Sequence, residues 1–332
     1  MILNPAIIAL ITGSFLLSVF AVLASVVGAQ IIRSWDLRDG SDRQLAFERR
    51  TYLLSTIFTN LLVFELLSFF LFIYTADDLH SRLVGAMCAA GSLNANIYGY
   101  PTLFLKTINF IFCGLWLIVN HADNQAVDYP LIRFKYRFLI GITILLVLET
   151  LLQTAYFAQL RADVITSCCG TLFSTDVRGL AGGISSIPPY PTMIVFYSGM
   201  ALTVRTGMHH WLTRKAALTY SFAGTGMFII AIASMIIFVS VYYYEQPTHH
   251  CPFCILQKEY HYLGYPLYLA LFCGVIGALG VGVLERFRNL ASLAEIIPRL
   301  QRKLCLTSMI AYISFGIIST YPMVFHDFTL KS

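Results

Sequence analysis

Long apolar runs recur along the whole chain of 332 residues, and they constrain its fold more than any other feature. A bilayer core about 30 Å thick is crossed by a helix of about 20 apolar residues. Eight runs reach this length, with boundaries at about 6–32, 51–75, 100–120, 138–160, 189–207, 216–243, 266–284 and 304–323. They predict an all-α polytopic membrane protein, a bundle of about eight transmembrane helices.

Composition agrees with this fold class, because 58% of the residues are hydrophobic and only 12% are charged. No connecting loop is longer than about 30 residues, so nothing indicates a soluble domain. We therefore expect a single transmembrane domain over residues 1–332, with membrane lipid as its surroundings.

Basic residues are distributed unevenly between the loops. Of the 22 Lys and Arg residues, 16 follow the first, third, fifth and seventh apolar runs. Cytoplasmic loops carry an excess of Lys and Arg, so both termini are predicted to be extracytoplasmic. The net charge of +5 then reflects topology, and no nucleic acid partner is expected. We expect an integral protein of a bacterial cytoplasmic (inner) membrane.

Three predicted outer loops, at about 76–100, 161–190 and 244–265, carry cysteine and then end on a Tyr-Pro pair at the start of a helix. The outer cysteines are Cys88, Cys168, Cys169, Cys251 and Cys254. Because the helices can bring all three loops to one face, we expect these sulfur atoms to gather there.

The Cys251-Pro252-Phe253-Cys254 segment carries the most chemistry. Proline is tolerated at the first helical position, so the segment predicts a helix whose first turn holds both sulfurs. Lys258 and His261 would then lie on the same face of this helix as the two cysteines. The positive end of the helix dipole would favour the thiolate, which is the better nucleophile and metal ligand.

The same cysteines also fit a soft-metal site. Thiolate and imidazole are ligands that copper, mercury and zinc prefer. The candidate ligands are Cys88, Cys168, Cys169, Cys251, Cys254, His249 and His250. No haem is expected, because no histidine lies deep in a predicted span and no histidine follows Cys-Pro-Phe-Cys-Ile.

A few residues inside the predicted spans also attract attention. Glu65, Lys106 and Glu149 lie at depths where a charge is costly, so they should be paired or protonated. Either an interhelical lock or a proton-transfer role would explain them.

Cys113, Cys273 and Cys305 are expected to pack as small apolar residues. Spacings of three and four between Leu290, Leu293, Ile297 and Leu300 predict an amphipathic helix on the inner surface.

Around Cys251-Pro252-Phe253-Cys254-Ile255-Leu256-Gln257-Lys258, followed by Tyr265-Pro266-Leu267, the sequence resembles membrane disulfide-generating oxidoreductases of the DsbB type. The order of its cysteine loops is similar to that of vitamin K epoxide reductase. The resemblance implies that Cys251 and Cys254 face a quinone and that Lys258 stands in for an arginine that holds it. Gln257 and His261 are further candidates for contact with this cofactor.

Three functions remain open at this point. In the first, a thiol-disulfide oxidoreductase uses Cys88, Cys168, Cys169, Cys251 and Cys254 to pass electrons from an extracytoplasmic thiol protein to a membrane quinone. In the second, the clustered cysteines and histidines bind, transport or insert a soft metal ion. In the third, disulfide bonds cross-link the loops of a structural subunit that docks to other membrane subunits.

Overall fold

The computed structural model describes residues 3–35, 42–161, 165–166, 183, 187–325 and 328. In chain order its helices are α1 (Pro5–Ser34), α2 (Asp42–Asp78), α3 (Ala89–Leu93), α4 (Gly99–Asn124), α5 (Ile132–Ala158), α6 (Pro189–Thr213), α7 (Ala217–Tyr244), α8 (Gly264–Glu285) and α9 (Ile296–Phe325). In the described part of the chain, short 3-10 turns lie between α2 and α3, between α7 and α8 and between α8 and α9. The predicted all-α membrane fold class is confirmed at this level.

Seven of the helices in the described part of the chain are long and apolar enough to cross a membrane. They are α1, α2, α4, α5, α7, α8 and α9. The helix α6 has 25 residues but falls outside this apolar set. Each predicted Tyr-Pro signal does mark a helix start, because α4 begins at Gly99, α6 at Pro189 and α8 at Gly264.

The predicted amphipathic surface helix around residues 290–300 is wrong. Ala291–Leu293 form a single 3-10 turn, and α9 begins soon afterwards at Ile296. Ile297 and Leu300 are buried in the first turns of this long helix. Pro298 is tolerated in the first turn of this helix, because the backbone N–H groups of a first turn have no acceptor within the helix.

The chain divides into two compact units. The first contains Met1–Thr75, Asn96–Arg161 and Phe287–Ile297, so it holds α1, most of α2, α4 and α5. Side-chain hydrogen bonds join α1 to α5, including Ser18 Oγ to Thr150 Oγ1 at 2.7 Å and Ser25 Oγ to Thr143 Oγ1 at 2.8 Å. In an apolar solvent such bonds hold helices together where the hydrophobic effect cannot.

The second unit contains Ala76–Ala95, Ala162–Arg286 and Pro298–Ser332. Its helices α7, α8 and α9 pack closely through small residues. Gly224 on α7 faces Ala278 on α8 so closely that a Cβ at position 224 would collide with the Ala278 Cβ. The Tyr312 hydroxyl on α9 donates to the Gly224 carbonyl at 2.6 Å. Small residues permit this close approach of helix backbones in a membrane.

We expect Gly224→Ala to destabilise the second unit by about 1–3 kcal/mol, because the added methyl group overpacks the α7–α8 contact. The measurement is the thermal unfolding midpoint of the full chain in detergent. Gly226→Ala is the matched control, since a Cβ at that position meets no atom within 4 Å. This control should be neutral or slightly stabilising, because alanine is the better helix former. Equal midpoints for the two variants would contradict the packing argument.

Candidate functional site

The first segment of the site follows α2. A 3-10 turn, Leu79–Arg82, ends the helix, and the chain then reverses at Gly85, which has a φ of +84°. A side chain at position 85 would be strained at this φ and would meet the Thr166 carbonyl oxygen. Thr166 also donates its N–H to the Val84 carbonyl at 2.9 Å. Cys88 comes next, at the cap position before the short helix α3.

The second segment connects α7 to α8, and here the predicted helix is wrong. Cys251 lies in a loop, Cys254–Leu256 form one 3-10 turn, and Lys258–Tyr260 form another. An extended Gln257 separates the two turns, and left-handed His261 and Tyr262 end the second. The helix α8 starts only at Gly264, so its dipole does not act on Cys251 in the predicted way.

These two segments bring three sulfur atoms together. The Sγ atoms of Cys88, Cys251 and Cys254 all lie within 4.8 Å of one another, and Cys88 Sγ is 3.6 Å from Cys251 Sγ. Cys88 and Cys251 are fully buried, and Cys254 is 5% exposed. The predicted gathering of sulfur is therefore confirmed for these three residues.

An imidazole completes the cluster. His249 Nε2 lies 3.3 Å from Cys254 Sγ, and the ring packs edge-on against Tyr244 with centroids 4.7 Å apart. This contact places an imidazole nitrogen beside the sulfurs. The adjacent residue His250 is buried and directs Nδ1 to the Ile236 carbonyl oxygen at 3.0 Å.

The Ile236 carbonyl is available because α7 contains a π-helical segment, Met235–Val239. A π-helical turn shifts the helical hydrogen bonds and is frequent at functional sites. Ser240 Oγ donates to the Met235 carbonyl in the same segment at 2.6 Å. His250 is thus tied to the end of α7, and this tie positions its neighbours in the cysteine loop.

Two tyrosine hydroxyls hold the cysteine loop through hydrogen bonds to its backbone. The Tyr244 hydroxyl donates to the Cys251 carbonyl at 2.7 Å and accepts from the Ile255 N–H at 2.8 Å. The Tyr268 hydroxyl donates to the Pro252 carbonyl at 2.6 Å. Irregular buried backbone requires such partners, because an unsatisfied polar group is costly. The loop conformation that presents both cysteines is therefore specified by aromatic residues on the flanking helices.

Gln257 joins the two segments. Its Nε2 donates to the Met87 carbonyl at 2.8 Å and to Asp77 Oδ1 at 3.3 Å. Asp77 Oδ1 also accepts from the Ala89 N–H at 3.0 Å, which holds the start of α3. Met87 directly precedes Cys88, and Asp77 holds Ala89, which directly follows it, so this amide fixes Cys88 relative to Cys254. The predicted cofactor contact of Gln257 remains a prediction.

The other predicted cofactor contacts, Lys258 and His261, are exposed. Between them lies half-buried Tyr260, whose ring packs on Tyr244 with centroids 4.8 Å apart. Burial raises the pKa of the Tyr260 phenol, with smaller contributions from Cys254 and Glu259. The phenol is therefore neutral near pH 7, and its ring packs against Tyr244.

The remaining cysteines have mixed outcomes. Cys168 and Cys169 lie outside the described residues. Cys113 and Cys305 are buried, as expected of small apolar side chains. Cys273 is exposed on α8, so the expectation that it packs inside is wrong. Its α8 neighbours Leu271, Phe272, Gly274 and Val275 are the buried residues instead.

Sequence reasoning missed the residues that support the site. Asp77, Tyr244 and Tyr268 sit at helix ends next to the cysteine loops, and each makes a hydrogen bond that fixes loop backbone. Polar residues at the ends of apolar runs are common, so this position alone does not identify them. An acidic residue at the C-terminal end of α2, Asp77, was the clearest available signal.

We expect Tyr244→Phe to loosen the cysteine loop, because it removes partners from the Ile255 N–H and the Cys251 carbonyl. Leaving these groups unsatisfied costs about 1–3 kcal/mol locally. Cys251 and Cys254 should then react faster with a maleimide in the folded protein, as measured by peptide mapping of a time course. Tyr242→Phe is the matched control, since its hydroxyl takes no part in these hydrogen bonds. Unchanged rates in Tyr244→Phe would contradict this role.

Comparisons of this chain with protein-family models, with curated proteins and with solved structures find no match, so its function must be argued from the geometry of the site.

Proposed function

We propose that this protein binds one soft metal ion through Cys88, Cys251 and Cys254. The observation that carries the proposal is the approach of the three Sγ atoms to within 4.8 Å of one another. Two separate segments supply them, and both segments are fixed by hydrogen bonds that do not involve sulfur.

The spacing is close to that of a metal site. Zn–S bonds are about 2.3 Å long, so thiolates in a tetrahedral site are about 3.8 Å apart. The Cys88–Cys251 sulfur distance of 3.6 Å is near this value. Small side-chain rotations would therefore suffice to bring the three sulfurs onto one ion.

His249 supplies a fourth ligand and makes the set a Cys3His site. Its Nε2 is already 3.3 Å from Cys254 Sγ. Four protein ligands leave no position for water, which is typical of sites that hold an ion rather than sites that activate a substrate. A divalent ion bound to three thiolates leaves the site with one net negative charge. A monovalent ion leaves it with two. Because the site is buried, the smaller residual charge favours zinc over cuprous copper.

The bound ion would act as a crosslink between the segment 76–95 and the segment 245–263. Metal binding to such ligands is coupled to folding and releases the thiol protons. The function that follows is that of a membrane protein whose two cysteine segments are crosslinked by a bound metal ion.

We infer that the site lies on the extracytoplasmic side and that α6 is an eighth span. The excess of Lys and Arg in the alternate loops supports this orientation. A helix of 25 residues is long enough to cross the bilayer core, and it presents Ile194, Val195 and Leu202 outward. With eight spans both termini are on the same side as the cysteines.

We expect full-length protein loaded with Zn²⁺ and desalted to retain one ion per chain, measured by elemental mass spectrometry. Cys88→Ser, Cys251→Ser and Cys254→Ser should each lose most of this ion, and His249→Ala should weaken its binding. Cys273→Ser is the matched control and should retain it, since Cys273 is exposed on α8. Cu⁺ loaded under reducing conditions forms a second arm that identifies the preferred ion.

Zinc affinity should fall as pH falls, because protons compete for the three thiolates. Retention below about a tenth of an ion per chain for both metals would overturn the proposal. So would equal retention in wild type and in the triple cysteine variant.

The contact between Cys88 and Cys251 also favours a second candidate, a quinone-linked thiol-disulfide oxidoreductase. Cys251 lies beside both Cys254 and Cys88, so it can exchange one disulfide partner for the other. A donor dithiol would reduce the Cys251–Cys254 disulfide by exchange and become a disulfide itself. Reoxidation of the two thiols would release two electrons and two protons, which convert a quinone to a quinol.

This second candidate predicts that the purified protein, given a reduced dithiol donor, reduces a soluble quinone analogue. The Cys251→Ser, Cys254→Ser double variant should lose the reaction, and Cys273→Ser should keep it. A wild-type rate in the double variant would remove this candidate. Differential alkylation with and without zinc distinguishes the two functions, because bound metal protects all three thiols without oxidising them.

A further inference from the structure

Two carboxyl groups and one lysine meet inside the first unit. Lys106 Nζ on α4 lies 2.6 Å from Glu149 Oε1 on α5 and 3.5 Å from Glu65 Oε1 on α2. The three residues are at most 2% exposed. The prediction that these residues are paired is confirmed, and the pairing links three membrane helices.

The charges in this cluster do not balance if both carboxyl groups are ionised. One ammonium group would then face two carboxylates, leaving a net negative charge buried in an apolar medium. A second pair in the same unit provides a contrast, because Lys135 Nζ lies 2.6 Å from Asp123 Oδ2 in a balanced one-to-one arrangement. An uncompensated buried charge is far more costly than a neutral pair.

The geometry of the cluster indicates how its charge is balanced. Glu65 and Glu149 both direct Oε1 to the same Lys106 Nζ, so two carboxyl groups share one counter-ion. Two carboxyl groups that share one buried site do not both ionise, and one of them is therefore protonated. Asn109 Nδ2 donates to Glu149 Oε2 at 2.5 Å and thereby stabilises the ionised form of Glu149.

Two buried oxygen atoms beside the lysine lack a donor in the described chain. Glu65 Oε2 receives no hydrogen bond, and Asn109 Oδ1 has no partner either. Asn109 is fully buried, so its free oxygen is an acceptor in the same cluster. Such acceptors are costly unless a proton reaches them.

We propose that Glu65 and Glu149 form an intramembrane proton-binding site that shares one proton, with Lys106 as the fixed counter-ion. Bound proton and lysine together neutralise the two carboxylates. This makes Glu65 the group that takes up or releases a proton in any proton-coupled step of the protein.

The surroundings of the site contain few other titratable groups. Cys113 is buried on α4 seven residues after Lys106, which places it two turns along the same face of the helix. The Phe72 ring on α2 lies 5.7 Å from Lys106 Nζ, and Ser68 accepts from Nζ at 3.2 Å. α1, which packs against α5, carries no titratable residue between Pro5 and Ile32. The proton must therefore reside on the carboxyl pair.

The test is the infrared difference spectrum of the full-length protein in detergent, wild type minus Glu65→Gln. We expect it to contain the C=O stretch of one protonated carboxylic acid and no carboxylate band. Glu65→Gln should fold, because it leaves the balanced Lys106–Glu149 pair. Glu149→Gln should also lose the acid band, since Glu65 is then the one carboxylate beside Lys106.

The matched control is Asp123→Asn, whose difference spectrum should contain only carboxylate bands, because Asp123 is paired with Lys135. Carboxylate bands in the Glu65→Gln difference would overturn the proposal. An acid band that disappears when Na⁺ is added would also overturn it, because the site would then be selective for a metal cation. Reaction of wild-type Glu65 with a hydrophobic carbodiimide, which attacks protonated carboxyl groups, would support the infrared result.

Discussion

The absence of water in the bilayer core is the constraint on which the rest of this structure depends. Every backbone group there must find a partner within the protein, so the spans are helices. The same constraint explains the side chains between the helices. Ser18 bonds to Thr150, Tyr312 donates to the Gly224 carbonyl, and Lys106 finds its carboxylates. Each of these contacts satisfies a polar atom and simultaneously fixes one helix against another.

The same need to pair every buried polar group explains why the cysteine segment can be irregular at a helix end. A loop whose backbone is buried needs donors and acceptors outside itself. Tyr244 and Tyr268 provide them from the flanking helices, and Gln257 extends the arrangement to the first segment. The sulfurs are consequently held by groups that carry no redox or metal chemistry. The loop backbone therefore does not depend on the sulfur atoms for its conformation.

Sequence predicted the features that depend on composition and failed on those that depend on individual partners. Apolar runs located the spans, and the Tyr-Pro pairs located the starts of three helices. The proximity of Cys88 to Cys251 was also predictable, since both residues lie in loops that the distribution of Lys and Arg assigns to one side of the membrane. The helix expected at Cys251 is wrong because Pro252, the extended Gln257 and two left-handed residues divide the segment into short turns. No periodicity reveals that Tyr244 has two loop partners.

The burial of the sulfur cluster favours metal binding over thiol-disulfide exchange with a partner protein. Thiol-disulfide exchange requires a partner thiolate to reach a sulfur atom, and access therefore limits its rate. Cys88 and Cys251 are fully buried, and Cys254 is 5% exposed. A metal ion is small enough to enter such a site, and its coordination compensates for the desolvation of the thiolates. Because His249 also lies beside Cys254, the proposed site would offer four ligands to an ion but hardly any sulfur surface to a protein. Exchange with a partner protein would first have to open the segment that Tyr244 holds closed.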